Sequence, residues 1–385
     1  MPLDQSPSIP PPMPADTSVP TDDGYCPACR PLQRCRRSES ELWLHNNAAG
    51  PGVLNHVPLP PIDPAVLELN LSYLAMNDDS QPQVARLKRN IGSVENVEPS
   101  TIRITGPLLD MFGHLPTWVG ARSVYRVGGD FTGYTNFVLD RPVVEIQHDL
   151  TCDAIDPEVV AAALADADRP LFYVTFPVTN PNQQTMSLAV VEAALAANPD
   201  VIVVIDQAYR RYAETPGLAR YAQGHERVIY VDTAAKDVLL CGARVGWLTA
   251  GSGLMPKLDR GLGPYVVSPV SVAQVNSMLE APETLRRMVE TVSTTRDILS
   301  RGMLEMGFLV RIGVGPWVMV YLGQQAANVE RRLLLEHRIK VQLQGGTLAG
   351  WLRVSATSPC EGRRALRSFA ALRDGGHASP TNGTA

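Results

Sequence analysis

Lysine is scarce in this chain of 385 residues, and one of its four lysines stands where an amine can do chemistry. Of 34 basic residues only Lys88, Lys236, Lys257 and Lys340 are lysines, leaving 34 − 4 = 30 arginines. Lys236 follows the apolar run 227–232 by four residues, and Arg244 lies eight residues beyond it, between Gly242 and Gly246. A lysine at the end of a buried strand loses hydration, so its pKa falls and its neutral amine can attack a carbonyl to form a Schiff base. A second polar cluster ends another such run. In VIVVID (201–206) the strand finishes on Asp206, and Tyr209 comes three residues later. A carboxylate behind a desolvated strand calls for a cation, and a helix cap or an ion pair with Arg210 or Arg211 is its plainer use. Cys26, Cys29 and Cys35 lie close together near His45, but a fourth ligand at workable spacing is missing, so no metal is expected.

Both clusters need a scaffold that ends several strands at one edge. Short β-branched runs at 123–127, 143–147, 171–176, 201–206, 227–232 and 245–250 are apolar nearly throughout, as strands covered on both faces must be. Between them lie helical stretches at 157–167 and 187–197, the second with Ser187 placed as an N-cap. This alternation predicts an α/β fold: a large domain with a mostly parallel sheet flanked by helices. The last third changes character, with one or two long helices over 280–310, strand runs at 310–323, 337–344 and 351–357, and a helix near 360–373, which together predict a smaller α+β domain. The expected divisions are a proline-rich disordered arm (1–40), an N-terminal part of the small domain (41–75), the large domain (76–275), the C-terminal small domain (276–374) and a frayed tail (375–385).

Composition removes several classes. A net charge of −5 gives no general attraction to nucleic acid, and no apolar run reaches the ~20 residues of a spanning helix. Six cysteines are too few to staple a chain this long. The start, MPLDQSPSIPPPMP, has neither the charged nor the apolar region of a secretory signal, so a cytoplasmic protein is expected.

In a sheet of this kind ligands sit beyond the carboxyl ends of the strands, where both clusters fall. The succession of Asp206, Tyr209, Lys236 and Arg244 resembles the fold type I pyridoxal-phosphate enzymes, and more narrowly the class I/II aminotransferases, of which histidinol-phosphate aminotransferase is a member. The resemblance covers roughly residues 42–373 and rests on six motifs in family order. These are HNNAAGP (45–51), GDFTGYTNF (129–137), TNPNQQTM (179–186), IDQAYRRY (205–212), DTAAKDVLLCGARVGW (232–247) and WLRVSAT (351–357).

The resemblance implies pyridoxal 5′-phosphate as cofactor and a role for each matched residue. Lys236 would hold the cofactor as a Schiff base and later shuttle a proton. Asp206 would pair with the ring nitrogen, Tyr209 would donate to the ring oxygen, and Tyr134 would lie against the ring face. Arg244 would grip the phosphate, with Thr233 and the helix start at Gly106, Pro107 and Leu108. Either Asn180 or Asn182 would reach the ring oxygen. Arg353 would clamp the substrate carboxylate, with Asn47 beside it. The chain also departs from the family: Ala235 replaces a serine of the phosphate cup, Pro107 removes a backbone donor, the 180–186 loop lacks its usual ending, and Ala49 and Met76-Asn77 stand where tyrosines are usual.

The expected function is therefore that of an aminotransferase acting on an amino acid, as a homodimer. Two alternatives stay open at this point. One is a lyase or synthase of specialised metabolism that carries out β- or γ-elimination, replacement or C–C bond formation, with S-adenosylmethionine among its possible substrates. The other is a catalytically silent homologue that binds the cofactor.

Overall fold

A computed structural model describes residues 42–45, 51–62, 78–236 and 238–373. The expected disordered arm and tail, the cysteines Cys26, Cys29 and Cys35, and Asn47, Ala49, Met76 and Asn77 lie outside the described residues.

The chain enters with a short strand β1 (Leu42–Trp43) and a helix α1 (Pro82–Glu95), then builds one large sheet. In chain order its parts are β2 (Arg103–Thr105), α2 (Leu108–Val119), β3 (Ser123–Val127), β4 (Val143–Ile146), α3 (Pro157–Leu164), β5 (Pro170–Thr175), α4 (Leu188–Ala197), β6 (Ile202–Asp206), α5 (Ala219–Gln223), β7 (Val228–Thr233) and β8 (Gly246–Ala250). The strands lie in the order β2-β8-β7-β6-β5-β3-β4. Strands β3 to β7 are parallel, whereas β8 runs antiparallel to β7 and β2 antiparallel to β8. Each apolar run of the sequence becomes a strand because both sheet faces are covered. Leu171, Tyr173, Val204, Ile229 and Val231 face a core shared with α2, and Phe172, Val174, Val203, Ile205 and Tyr230 face the opposite core. Strand β2 was not foreseen. Its three residues carry no alternation, and its place is set by pairing with β8.

Ser187 does stand at the N-cap of α4 but its side chain makes no capping bond. Asp156, which the sequence did not single out, caps α3 by accepting from Glu158 N–H at 2.9 Å.

Helices α6 (Met255–Gly261) and α7 (Pro269–Leu279) lead into α8 (Pro282–Glu305), one continuous helix over most of the stretch where one or two were expected. The remaining elements are β9 (Leu309–Arg311), β10 (Trp317–Tyr321), α9 (Ala326–His337), β11 (Ile339–Lys340), β12 (Gln342–Leu343), β13 (Trp351–Ser355) and α10 (Pro359–Leu372). Strands β12-β13-β10-β9 form an antiparallel sheet, and α10 is started by a capping box of Ser358 and Glu361. The small lobe also takes in the start of the described chain. Strand β1 pairs with β11, and Ser355 N–H donates to Leu44 O at 2.8 Å. Among the described residues no helix is long and apolar enough to cross a membrane.

Candidate active site

The carboxyl ends of β3, β5, β6 and β7 open on a pocket of about 660 Å³, walled on its far side by β13 and the segment 342–348. Parallel strands that stop in register bring their last polar residues together: Thr175 of β5 lies directly beside Asp206 of β6.

Asp206 is buried. Its Oδ1 accepts from Ala208 N–H at 3.0 Å, and its Oδ2 accepts from the Tyr134 hydroxyl at 3.0 Å. Burial pushes its pKa up to about 6 against the pull of those two donors; the Asp130 charge adds to the rise and Lys236 opposes it. Tyr134 is fully buried, stacked on Tyr173, with its hydroxyl 2.6 Å from Thr175 Oγ1. Burial, and then the carboxylates of Asp206 and Asp130, hold its phenol well above the ordinary value.

Lys236 sits in the turn after β7 and lines the same pocket. Desolvation lowers its pKa to about 8, with Arg353 and Arg244 pushing the same way and Cys241 and Asp206 opposing. The turn is fixed from two sides. The Lys236 carbonyl accepts from Leu239 N–H at 3.2 Å and from the Tyr212 hydroxyl at 3.3 Å. The Thr233 hydroxyl donates to Val245 O at 3.0 Å and accepts from Ala235 N–H at 3.1 Å, so its proton is committed to the backbone and is not offered to the pocket.

One end of the pocket is an anion seat. Pro107, Leu108 and Leu109, at the start of α2, line it together with the exposed Arg244. The first N–H groups of a helix lack partners within the helix and attract negative charge. Gly246 allows this approach, because a Cβ there would come within 2.6 Å of Thr105 Oγ1 and 2.8 Å of Leu108 Cδ2. Gly106 itself does not line the pocket, and its backbone carbonyl accepts from the Thr105 hydroxyl.

The opposite wall carries Arg353 of β13. Its guanidinium donates to Asn180 Oδ1 at 2.9 Å, to His45 O at 2.6 Å and to Gln342 Oε1. Its Nε is buried without a partner in the structure. Burial lowers its pKa to about 10, which leaves it cationic at neutral pH. Asn180 also donates from Nδ2 to the Tyr209 hydroxyl at 3.2 Å. Tyr209 in turn meets Trp317 edge-on, with ring centres 4.9 Å apart.

Of the residues singled out in the sequence, Tyr134, Asn180, Asp206, Tyr209, Thr233, Lys236, Arg244, Pro107, Leu108 and Arg353 all line this pocket. Asn182 does not. It lies against Gly129, and its amide donates to Leu150 O and Gln184 Oε1, so of the two asparagines Asn180 is the one that lines the pocket. Tyr134 stands differently from the expected ring-face contact, since its hydroxyl is turned to Asp206 and Thr175. Phe131, three residues earlier, is partly exposed on the pocket wall. Thr175 and Gln342 had no signal in the sequence, because each reaches the pocket from a separate segment, and Asp130 and Phe131, neighbours within the motif at 129–137, were not singled out in it. Among the described residues no cluster of three or more His, Cys, Asp or Glu side chains could hold a metal.

The donor set has a definite shape: an anion seat at one end, a buried acid deep in the pocket, an amine beside it, and Tyr209 with Asn180 along one side. It suits a flat heteroaromatic ring that carries a phosphate, a phenolic oxygen, a ring nitrogen and an aldehyde. The Arg353 Nε, buried without a hydrogen-bond partner, points to something bound there.

The family described as "Aminotransferase class I and II" matches residues 148–369. The aromatic amino acid aminotransferase of Mycobacterium sp. (strain JLS) is 28% identical over 214 residues, 54% of this chain and 57% of its own. The histidinol-phosphate aminotransferase of Paenarthrobacter aurescens (strain TC1) is 28% identical over 225 residues, 57% of this chain and 59% of its own. The chain thus spans somewhat more than half the length of these two relatives. The crystal structure of histidinol-phosphate aminotransferase from Sinorhizobium meliloti in complex with pyridoxal-5'-phosphate superimposes with a TM-score of 0.73 at 19% identity, covering 93% of this chain and 99% of that one. At that identity the likeness speaks for the fold.

Proposed function

The chain belongs to the class I and II aminotransferase family, and from that membership we propose that it moves the amino group of an amino acid to a keto acid with pyridoxal 5′-phosphate as cofactor. The observation that carries the proposal is the sharing of one pocket by Lys236, Asp206 and Arg353. The cofactor, when bound, supplies the aldehyde that captures an amine and the ring that draws electrons from the substrate Cα.

Lys236 would hold it. With a pKa of about 8 the amine is neutral in roughly a tenth of molecules at pH 7, a far larger share than an ordinary lysine offers. The same Nζ would serve as the base that takes the substrate Cα proton and returns it. Asp206 would face the ring nitrogen, Tyr209 and Asn180 the ring oxygen, Phe131 the ring face, and Arg244 with the start of α2 the phosphate. Arg353 would bind the substrate carboxylate and so orient Cα, exchanging Gln342 for the incoming anion. The relatives' names favour transamination over elimination, replacement or a silent role. The partner is a second copy of this chain, supported by exposed apolar side chains on the segment that follows the pocket wall, Phe137 at 55% and Leu139 at 91% exposure. The compartment is the cytoplasm, in keeping with the exposed thiols of Cys152 and Cys241, which form no disulfide.

The test is a half-reaction. Loaded protein given an amino acid and no acceptor releases one equivalent of keto acid, and borohydride reduction before substrate leaves the cofactor on the peptide containing Lys236. Ammonia or a cleaved side chain in place of a keto acid would replace transamination by a lyase reaction; light scattering checks the dimer.

A further inference from the structure

The guanidinium of Arg353 is held by three partners, and one of them is a side chain that can leave. Arg353 is buried on β13, and Gln342 stands directly opposite it in register on the edge strand β12, so both side chains rise from one face of the small sheet. Gln342 is exposed, lines the pocket and accepts through Oε1 from Arg353 Nη2. Its backbone carbonyl is fixed separately, accepting from Gln344 Nε2 at 3.0 Å. Turning the amide out to water therefore asks for a side-chain rotation and no movement of the strand.

Counting N–H groups shows what that contact blocks. A guanidinium offers two parallel N–H groups on two edges, Nε with Nη2 and Nη1 with Nη2. Both edges include Nη2. Of the two N–H groups on Nη2, one is given to His45 O at 2.6 Å and the other to Gln342 Oε1. The first acceptor is backbone and the second is a free-swinging amide. A carboxylate can grip Arg353 with both oxygens once Gln342 withdraws.

We propose that Gln342 is an internal ligand of Arg353, which occupies the carboxylate seat until a substrate displaces it and thereby sets how tightly the substrate binds. The inference rests on the reading of Arg353 as the carboxylate clamp. A neutral amide suits the task. Its carbonyl satisfies an N–H that burial would otherwise leave unpaired, yet it brings no charge, whereas a carboxylate makes charge-assisted bonds about twice as strong. The amide therefore yields to an anion. A substrate with an amide or ester in place of the carboxylate gains nothing by the exchange, because it offers Nη2 the same neutral acceptor that Gln342 already supplies. Each carboxylate that binds gives up the worth of the bond it breaks.

The experiment titrates propionate, a carboxylate without an amine, against the full chain and reads its dissociation constant by ligand-observed NMR. Gln342→Ala and Gln342→Leu both remove the acceptor, and the second keeps the bulk. Each is expected to tighten propionate binding by about 3- to 10-fold, the worth of one hydrogen bond. Gln342→Glu sets a charged competitor on the same N–H and is expected to weaken binding by at least about 10-fold. Tightening in only one of the first two variants, or in neither, overturns the proposal, because Gln342 would then be plain wall or a substrate contact. Arg353→Lys is expected to weaken propionate binding, and propionate that binds this variant as it binds wild type overturns the clamp reading itself. A chain that shows the expected shifts in propionate binding but transfers no amino group overturns the reaction proposed above and upholds the internal ligand.

Discussion

Arg353 donates to the side-chain carbonyl of Asn180 across 2.9 Å, joining the small sheet to the rim of the large one inside the pocket. The same asparagine holds the Tyr209 hydroxyl through Nδ2, so the group proposed to clamp a carboxylate and the group proposed to touch a ring oxygen share one amide. Asn180→Ala leaves two buried polar groups without that partner. The expected loss is about 1–3 kcal/mol in transition-state binding, a roughly five- to hundred-fold fall in kcat/KM that steady-state kinetics reads directly.

Arg353→Lys keeps the charge but loses the planar fork. A lysine cannot hold a carboxylate with two parallel N–H groups, so KM for the amino acid should rise by about 10- to 100-fold while cofactor affinity stays as in wild type. Cofactor affinity measured by equilibrium dialysis separates a lost clamp from a damaged pocket.

Lys236 gives a pH signature. Its pKa is lowered to about 8, and the neutral amine, the reactive form, predominates above that value. The rate at which stripped protein captures pyridoxal phosphate should climb as pH rises toward 8 and level off beyond it. A rate still climbing toward the ordinary lysine value of 10.5 would show an amine in bulk water. Lys236→Ala should lower turnover by at least about 10²-fold.

Behind the pocket, Arg210 Nη2 donates to Glu95 Oε1 at 2.7 Å and its Nε to Asp232 Oδ2 at 3.3 Å, and the Tyr230 hydroxyl donates to Glu95 Oε2 at 2.8 Å. The three charged side chains are almost wholly buried. Arg210→Met strands two carboxylates in the core, and urea unfolding should show a loss of about 3–5 kcal/mol.

The strands and the polar residues that end them were legible in the sequence, because a run such as VIVVID followed by a change to polar residues has one physical reading in a covered sheet. Lys236, Asp206 and Arg244 were legible for the same reason. The loop residues were not. Asn180 and Asn182 are equivalent as letters, and what separates them is backbone direction, including the left-handed Gln183 at φ 65°, which no periodicity encodes. Tyr134 and Phe131 are three residues apart on one short turn, and only packing against Tyr173 decides which of them turns inward. Asp130 and Thr175 come together through the pairing of β5 with its neighbours, so neither carries a local mark.

Strand β1 is the first described segment to leave the ribosome, yet its partner β11, and the Ser355 amide that bonds Leu44, are among the last. The large sheet can therefore assemble while the growing chain still lacks the wall that bears Arg353. The pocket is born open, and its far wall is completed only when β1 and Leu44 find β11 and Ser355.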